Sequence, residues 1–387
     1  MSSQTRARVF AAIVDSRMKL NASGASMDAT ERHSLLAAWE ELEPHCDSSP
    51  FRSSLWQAAW LANLPLDQPL YKVTVHHGDV LIALGVLGLG RSGTWPLTRA
   101  SASLHATGSN EQDTVFIEQN GFLVRRGYEG VAIPAAIEYL AESRPEVDEF
   151  HFDGIDSPED YLRFAQSTGL IVSDYRMAAP YVDLAAIRTA GKSYMETLNK
   201  KARYAVRSAR LGYSEKYGPL QVELAANINS ALQTLSCIAS LNKQRHQGRG
   251  ARSSFQNEFF LRFHQDLVRR GFASGFAQLL TVTAGQTPVG HLYLFCYRNR
   301  IAFYQCGYDY SLLGARAQPG YSVLATAIDH YLAAGFDAFD FLAEATPYKL
   351  KLAQSSRDMA WLRLRRPSLR NRLTEAARGW WRRPVRR

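Results

Sequence analysis

Alternation of apolar and polar residues predicts a β hairpin in the last third of the chain. The runs Val289–Tyr297 and Ile301–Tyr308 are rich in aromatic and branched residues, and the polar Arg298–Arg300 between them is typical of a tight turn. Both alternating sets of side chains are largely apolar, so neither face of these strands can meet only water. We therefore expect a sheet that is covered on both sides.

A helix and a third strand are predicted after the hairpin. Apolar residues recur at three- and four-residue spacings after Ser322 and stop before Gly335, and the short apolar run Phe339–Leu342 follows. A strand, a helix and a strand at this spacing form a crossover unit, which requires a parallel sheet. The fold class predicted for the chain is therefore α/β, with mixed sheets.

The start of that helix is a candidate anion site. It lies at the carboxyl edge of the first strand, where ligands bind in α/β folds, and its first amides have no partner within the helix. Gly320 allows close approach, and no acidic side chain is near. Most helices that start with Pro-Gly bind nothing, so this feature alone is weak. The candidate residues for a diphosphate are Pro319, Gly320, Tyr321 and Ser322.

The order of these elements resembles the C-terminal half of the GNAT-type acyltransferases of the CelD-like and FemAB-like groups. The resemblance rests on the hairpin, the Pro319-Gly320 helix, the run Gly335–Leu342 and the pair Tyr348-Lys349, and it covers about Ser193 to Leu364. It implies an acyl-CoA co-substrate, acetyl-CoA or another. The four cysteines are scattered without the spacing of metal ligands, so we expect no metal.

One segment departs from the pattern of the family. The phosphate loop of the wider superfamily reads Gln/Arg-x-x-Gly-x-Gly/Ala, which Arg316–Ser322 fits poorly. The donor therefore stays open between acetyl-CoA, a longer acyl-CoA and the aminoacyl-tRNA that Fem-type members use.

Acyl transfer by direct attack needs a base for the amine and an acid for the departing thiolate, but no covalent nucleophile. The candidate bases are His291 on a predicted strand, Asp309 after the next strand, and Glu344 after the last core strand. The resemblance places Tyr348 as the acid, with Lys349 completing the family-like pair. Each of these residues also has an ordinary structural interpretation, as a core histidine, a cap or a turn residue.

Two further sites are candidate substrate contacts. Arg203 and Arg207 lie on the cationic side of a predicted amphipathic helix, where they could contact an anionic donor or acceptor or simply face solvent. Glu118 and Asn120 lie where the related groups often carry an acidic-Asn stretch, so they are candidate acceptor contacts. Ordinary turn chemistry is the alternative for this second pair.

The pattern of helices, hairpin, helix and strand occurs twice. We therefore predict two GNAT-like domains in tandem, residues 29–188 and 189–366, of which the second carries the acyl-CoA site. A strand is predicted at Asp113–Glu118 in the first domain. Residues 1–28 are predicted to be a loose tail, and residues 367–387 a tail rich in Trp and Arg.

Charge is concentrated at the C-terminal end. The net charge is +9, and nine Arg against one Glu from Arg365 onward supply most of it. The tail suits an anionic membrane surface, nucleic acid or no partner at all. No run is long enough for a membrane helix and no targeting signal is evident, so we expect a cytoplasmic protein without disulfides that could work at the inner face of the membrane.

The function implied is transfer of an acyl group from acyl-CoA to an amine of an envelope polysaccharide, a peptidoglycan precursor or a lipid-linked precursor. Hydroxyl acceptors stay open, as does a small-molecule acceptor. Two alternatives remain at this point: an aminoacyl-tRNA-dependent transferase of the Fem type, and a non-catalytic scaffold with the GNAT fold.

Overall fold

The computed structural model describes residues 20–93, 98–248, 250–313 and 318–367. Within them the chain is an α/β protein, as predicted, with one mixed sheet of thirteen strands. The strands are β1 (Leu20–Ser26), β2 (Leu70–His77), β3 (Val80–Ser92), β4 (Arg99–Leu104), β5 (Leu123–Val124), β6 (Glu149–Ile155), β7 (Ile171–Asp183), β8 (Leu220–Leu224), β9 (Ala277–Ala284), β10 (Thr287–Tyr297), β11 (Arg300–Tyr308), β12 (Ala338–Asp340) and β13 (Ser355–Arg365). The helices are α1 (Ala29–Leu42), α2 (Ser54–Asn63), α3 (Glu129–Ser143), α4 (Glu159–Ser167), α5 (Leu184–Thr189), α6 (Tyr194–Thr197), α7 (Lys200–Tyr217), α8 (Ile228–Gln247), α9 (Glu258–Gly271), α10 (Pro319–Ala333) and α11 (Pro347–Leu352).

The same order of elements occurs twice along the chain. In each half a strand is followed by two helices, three strands, a helix, a strand, a short helix and a last strand, from β1 to β7 and from β8 to β13. The short strand β5 is an addition to the first half. The duplication predicted from the sequence is therefore confirmed, and so are the β10–β11 hairpin and the parallel β11–α10–β12 crossover.

The two halves exchange their last strands. The order across the sheet is β1-β2-β3-β4-β6-β13-β7-β12-β11-β10-β9-β8. Strand β13, from the end of the chain, pairs with β6 of the first half, whereas β7 pairs with β12 of the second half. The predicted boundary between residues 188 and 189 assigns β13 to the second domain, although β13 pairs with β6 of the first half. The domain boundaries stay a prediction.

Aromatic packing joins the halves on one face of the sheet. Trp56 of α2 lies 4.8 Å from Phe263 of α9, measured between ring centroids, and 5.7 Å from Phe295 of β10. All three side chains are buried in one core shared by α1, α2, α8 and α9. Burial of rings of this size dominates the packing energy of a core. The opposite face carries α3 and α4 on the first half and α7 and α10 on the second.

Three predicted elements are wrong. No strand forms at Asp113–Glu118, because the Asp113 carboxylate accepts hydrogen bonds from the Thr107 and Gly108 amides, and a 3₁₀ turn follows at Gln112–Val115. The predicted loose tail does not reach residue 28, since β1 pairs with β2 over its whole length. The sequence pattern of residues 222–242 also predicts a single helix, but the helix begins only at Ile228, after the strand β8. Residues 1–19, Arg316 and nearly all of the predicted 367–387 tail lie outside the described residues.

Candidate active site

Two parallel strands separate at the seam between the halves. β11 and β12 pair from Arg300 with Ala338 to Ala302 with Asp340, and no further. The residues that follow on the two strands line opposite sides of a cavity of about 800 Å³. Those residues are Phe303, Tyr304 and Gln305 on one side and Phe341, Leu342, Ala343 and Glu344 on the other. Parallel strands that part in this way open a crevice at their carboxyl ends.

The exchanged strands form the floor of the cavity. Trp361 and Arg363 of β13 and Met177 of β7 line it. Ala360 and Leu362, which alternate with the first two, are buried in the core on the other face. The cavity therefore lies on the face that carries α1, α2, α8 and α9, between the two halves.

Backbone strain is concentrated around this cavity. Seven non-glycine residues of the described chain have positive φ, and two of them, Arg298 and Asn299, form the turn of the β10–β11 hairpin. The other five lie in the cavity wall or next to it. They are His105 (53°), Phe116 (43°), Gln119 (48°), Leu342 (60°) and Glu344 (66°). Such conformations are costly for residues with a Cβ, and they cluster where function maintains them.

Glu118 and Lys349 meet at one residue of the opposite wall. Glu118 Oε2 accepts a hydrogen bond from the Ala343 amide at 2.6 Å, and Lys349 Nζ donates to the Ala343 carbonyl at 2.7 Å. Burial raises the pKa of Glu118 to about 7, and the Ala343 amide and the charge of Lys349 offset only part of that rise. Burial likewise lowers the pKa of Lys349. Glu344 lines the same cavity and is exposed. Glu118 is thus a carboxyl group that can gain or lose a proton near neutral pH.

Contacts to the second half fix the segment that carries Glu118. The Tyr304 hydroxyl donates to the Val115 carbonyl, and Gln119 Nε2 donates to Asp340 Oδ2 at 3.2 Å. Tyr304 is the extra residue of a bulge, because Tyr293 pairs with Gln305 while Leu294 pairs with Phe303. A bulge re-aims the side chain that it carries. Here the Tyr304 side chain reaches the segment from the other half.

A second polar cluster lies at the end of the cavity that is formed by the first half of the chain. His151 Nε2 and Arg365 Nη2 lie 3.2 Å and 3.1 Å from Glu149 Oε1, and the Arg363 guanidinium is paired with Asp153. Burial alone would raise the pKa of Glu149, but the His151 and Arg365 contacts hold it at about 2. The sequence reasoning missed this cluster. Its signal was the alternation of Glu149, His151 and Asp153, which places three polar side chains on one face of a strand.

The structure brings together Glu118, Glu344 and Lys349 of the predicted site residues, but not the other candidate bases. His291 lies outside the cavity, with Nδ1 2.9 Å from Thr281 Oγ1. The Asp309 carboxylate accepts from the amide and hydroxyl of Ser311, as a turn cap does.

Asn120 is a structural residue of the first half. It is fully buried, accepts a hydrogen bond from His105 Nδ1 at 2.7 Å, and donates to the Leu104 carbonyl. These bonds hold His105, which has positive φ and lines the cavity. Asn120 therefore supports the cavity wall from behind.

Tyr348 precedes Lys349 in α11 and packs against the core on the α10 side. Burial raises its pKa, with the nearby Cys306 contributing in the same direction. The phenol therefore keeps its proton at neutral pH, as an acid must.

The first turn of α10 has features that fit a diphosphate. It contains no acidic residue and has no side-chain cap, and the buried Ser322 hydroxyl has no hydrogen-bond partner among the described residues. Pro319 is buried, while Gly320 and Tyr321 are partly exposed. A Cβ at Gly320 would lie 3.5 Å from the Tyr308 ring, an ordinary contact, so packing alone does not require glycine there.

The two predicted arginine contacts differ in their surroundings. Arg203 Nη2 donates to the Leu198 carbonyl at 2.9 Å, between α6 and α7. Arg207 is exposed. Both lie on α7, on the far side of the sheet from the cavity.

Within the described residues no group of three or more His, Cys, Asp or Glu side chains could hold a metal ion. In that same part of the chain, no helix combines the length and the apolar character needed to cross a membrane.

Comparison with known proteins gives a family match for the second half of the chain. Residues 200–350 match the family model of the acetyltransferase (GNAT) domain. No curated protein matches the sequence. Among solved structures, FemX has a TM-score of 0.56 at 11% identity, covering 91% of this chain and 99% of its own. L-PGS from Bacillus licheniformis has a TM-score of 0.51 at 13% identity, covering 90% of this chain and 97% of its own.

At these identities the solved structures establish likeness of fold, and the family model establishes the domain. The resemblance inferred from the sequence is confirmed: this chain contains a GNAT acetyltransferase domain, built into a fold of two GNAT-like halves that is similar to the fold of FemX.

Proposed function

We propose that the protein transfers an acyl group from an acyl-CoA to an amine, and that the reaction takes place in the cavity between the halves. One observation carries the proposal. Glu118, from the first half, is bonded to Ala343 where β11 and β12 of the GNAT domain have separated. A carboxylate at this place can take the proton from an amine that attacks through the opening.

The residues have separate roles in direct attack. Glu118 accepts the proton of the attacking amine, and the exposed Glu344 is a second candidate for this role. Lys349 holds the Ala343 carbonyl and so helps to position Ala343, whose amide binds Glu118. Tyr348, which is protonated at neutral pH, donates a proton to the departing sulfur. The new amide bond forms as the thioester bond breaks, and the thiol leaves with the proton of the phenol.

The first turn of α10 would hold the donor. Pro319, Gly320, Tyr321 and Ser322 form the first turn of this helix, whose positive end and buried Ser322 hydroxyl, unpartnered among the described residues, favour the diphosphate of acetyl-CoA or another acyl-CoA. The co-substrate supplies the activated thioester. The cavity and this helix start lie on opposite faces of the sheet, and the separation of β11 from β12 lies between them.

The acceptor is proposed to be an amine on an envelope polysaccharide, a peptidoglycan precursor or a lipid-linked precursor. The resemblance to the CelD-like and FemAB-like groups supports this class. Asp153 is paired with Arg363 and Asp113 accepts from backbone amides, so Glu118 and the exposed Glu344 are the carboxyl groups of the cavity wall that are placed to meet the amine. A position at the inner face of the membrane would suit such an acceptor.

Aminoacyl-tRNA is the second candidate donor, because the likeness to FemX supports it and the cations of α7 are suited to phosphate. The test is calorimetric titration with acetyl-CoA. Micromolar binding that is weakened in Ser322→Asp, which places a negative charge in the first turn of α10, supports the CoA proposal. Exposed Ser236→Asp on α8 is the matched control. Absence of binding, with transfer activity that ribonuclease abolishes, would favour tRNA; absence of binding and of any activity would favour a scaffold.

A further inference from the structure

Helix α7 has one buried face and one exposed face of mixed character. Its buried side chains pack into the core with α10; they are Ala202, Val206, Ala209 and Tyr213. The opposite side carries cations and large apolar side chains at spacings of three and four residues. We call this side the α7 outer face. It consists of Lys200, Lys201, Tyr204, Arg207 and Leu211, all of them exposed.

The apolar residues of the α7 outer face are unusually open to solvent. Tyr204 is 75% exposed and Leu211 is 58% exposed. They are seven residues apart, so they lie on the same line along the helix, about 10 Å from one another. Nothing in the described part of the chain covers them.

The cations beside them are also unengaged. Lys200, Lys201 and Arg207 form no ion pair with any described residue, whereas Arg210, further round the helix, is paired with Asp329 at 2.6 Å. Within α7 the only acidic residue is Glu215, near the C-terminal end. The α7 outer face is therefore strongly positive along the stretch that exposes Tyr204 and Leu211.

We propose that the α7 outer face binds the surface of an anionic lipid bilayer. Cations that flank an aromatic and an aliphatic side chain match the headgroup and acyl layers of such a surface, with tyrosine at headgroup depth and leucine below it. A polyanion such as RNA would use the cations but gains nothing from Leu211. The charge and the apolar residues together favour the bilayer.

The orientation leaves the cavity accessible. Met177 of β7 lines the cavity, and Val182, five residues further along the same strand, faces the other side and packs in the core with α7. Binding through the α7 outer face therefore positions the sheet between the bilayer and the cavity. This inference does not depend on the acyl transfer proposed above.

Flotation with vesicles tests the inference on the full chain. We expect partitioning onto vesicles of phosphatidylcholine mixed with phosphatidylglycerol, and much less onto phosphatidylcholine alone. Removing a cation, in Lys200→Gln or Lys201→Gln, should lower partitioning about fivefold each. The double variant Tyr204→Ser with Leu211→Ser should lower it by about tenfold or more. Thermal melts establish that each variant is folded.

Matched controls lie on other surfaces. Leu66→Ser removes an exposed leucine that is 79% exposed, and Arg269→Gln removes an exposed cation of α9; both should partition like the unsubstituted chain. An environment-sensitive fluorophore on Ser208→Cys, within α7, should shift to the blue when vesicles are added. The same label on Ser240→Cys of α8 should not.

The C-terminal segment is present in every variant, so differences between variants report on α7. Equal partitioning of the α7 variants and the unsubstituted chain, with no shift at position 208, would overturn the inference. So would variants that keep vesicle binding but lose retention of a transfer-RNA preparation, since the face would then be a polyanion site.

Discussion

Glu118 Oε2 lies 2.6 Å from the amide nitrogen of Ala343, although the two residues are 225 positions apart in the sequence. One belongs to the first half of a duplicated fold and the other to the second. The contact closes the wall of the cavity three residues beyond Asp340, the last residue of β12 that pairs with β11. A reaction at this place would use a base from one half and a donor site from the other.

Glu118→Gln is the first test of the proposed base. Glutamine can still accept the Ala343 hydrogen bond, but it cannot take a proton, so we expect acyl transfer to fall by about 10²–10⁴-fold. The measurement is release of CoA thiol in the presence of an amine acceptor. Glu142→Gln, on the exposed surface of α3, is the control and should keep full activity.

Glu118→Gln should lower activity, but it should raise the stability of the fold at alkaline pH. Burial raises the pKa of Glu118 to about 7 in the native state, whereas the ordinary pKa of a glutamate in an unfolded chain is 4.5. The native state thus binds more protons between these values, and the free energy of unfolding falls as pH rises through them. At pH 8, Glu118→Gln should be more stable than the unsubstituted chain, by up to about 3 kcal/mol. Urea unfolding at pH 5 and pH 8 measures this, and a loss of stability at pH 8 would contradict the burial of the carboxylate.

Activity should depend on the same ionisation. Because the base acts without its proton, kcat/KM should rise with pH up to about 7 and then level off. A rising limb centred two or more pH units away would exclude Glu118 as the group that titrates. A profile that keeps this limb in Glu118→Gln would exclude it as well.

Tyr304→Phe tests whether the Tyr304 hydroxyl holds the segment that carries Glu118 in place. The substitution removes the hydroxyl that donates to the Val115 carbonyl, so we expect a loss of about 1–2 kcal/mol in unfolding free energy and a fall in kcat. Tyr293→Phe is a matched control, because the Tyr293 hydroxyl is buried and has no hydrogen-bond partner among the described residues. That control should be neutral or slightly stabilising. Equal effects of the two variants would contradict the role given to Tyr304.

Gly88→Ala tests the packing behind the first-half end of the cavity. A Cβ there would overlap the Ala106 carbonyl oxygen and lie 2.6 Å from Thr107 Cα, in the segment that follows His105. Thermal unfolding should show a cost of about 1–3 kcal/mol. Gly248→Ala, where the nearest atom would be 3.6 Å away, should leave stability nearly unchanged.

Local pattern predicts the fold better than the site. Symmetric pairing about Asn299 in the turn predicts His291 opposite Gly307, as observed, and Cys296 opposite Ala302, whereas Cys296 pairs with Ile301. The inserted residue of the bulge at Tyr304 shifts the register, and alternation contains no information about insertions. The contact of Glu118 with Ala343 depends on how the two halves associate and exchange strands. Sequence reasoning located Glu118 only through resemblance to a family.

The polar cluster at Glu149 illustrates the same limit. The pattern of Glu149–Gly154 predicts a strand, as observed, and alternation along a strand places Glu149 and His151 on one face. Their partner Arg365, however, comes from β13, which reaches β6 only because the last strands are exchanged. Pairing between residues so distant in sequence leaves no trace in a local period.

The most direct test of the central claim is acetyl transfer by Glu118→Gln and by the unsubstituted chain to the same panel of amines. The panel consists of an amino sugar, a peptidoglycan precursor and an amine-bearing lipid, with acetyl-CoA as donor and thiol release as the measurement. We predict transfer to at least one of these amines by the unsubstituted chain and its loss in Glu118→Gln. Transfer at an undiminished rate by Glu118→Gln would contradict the claim.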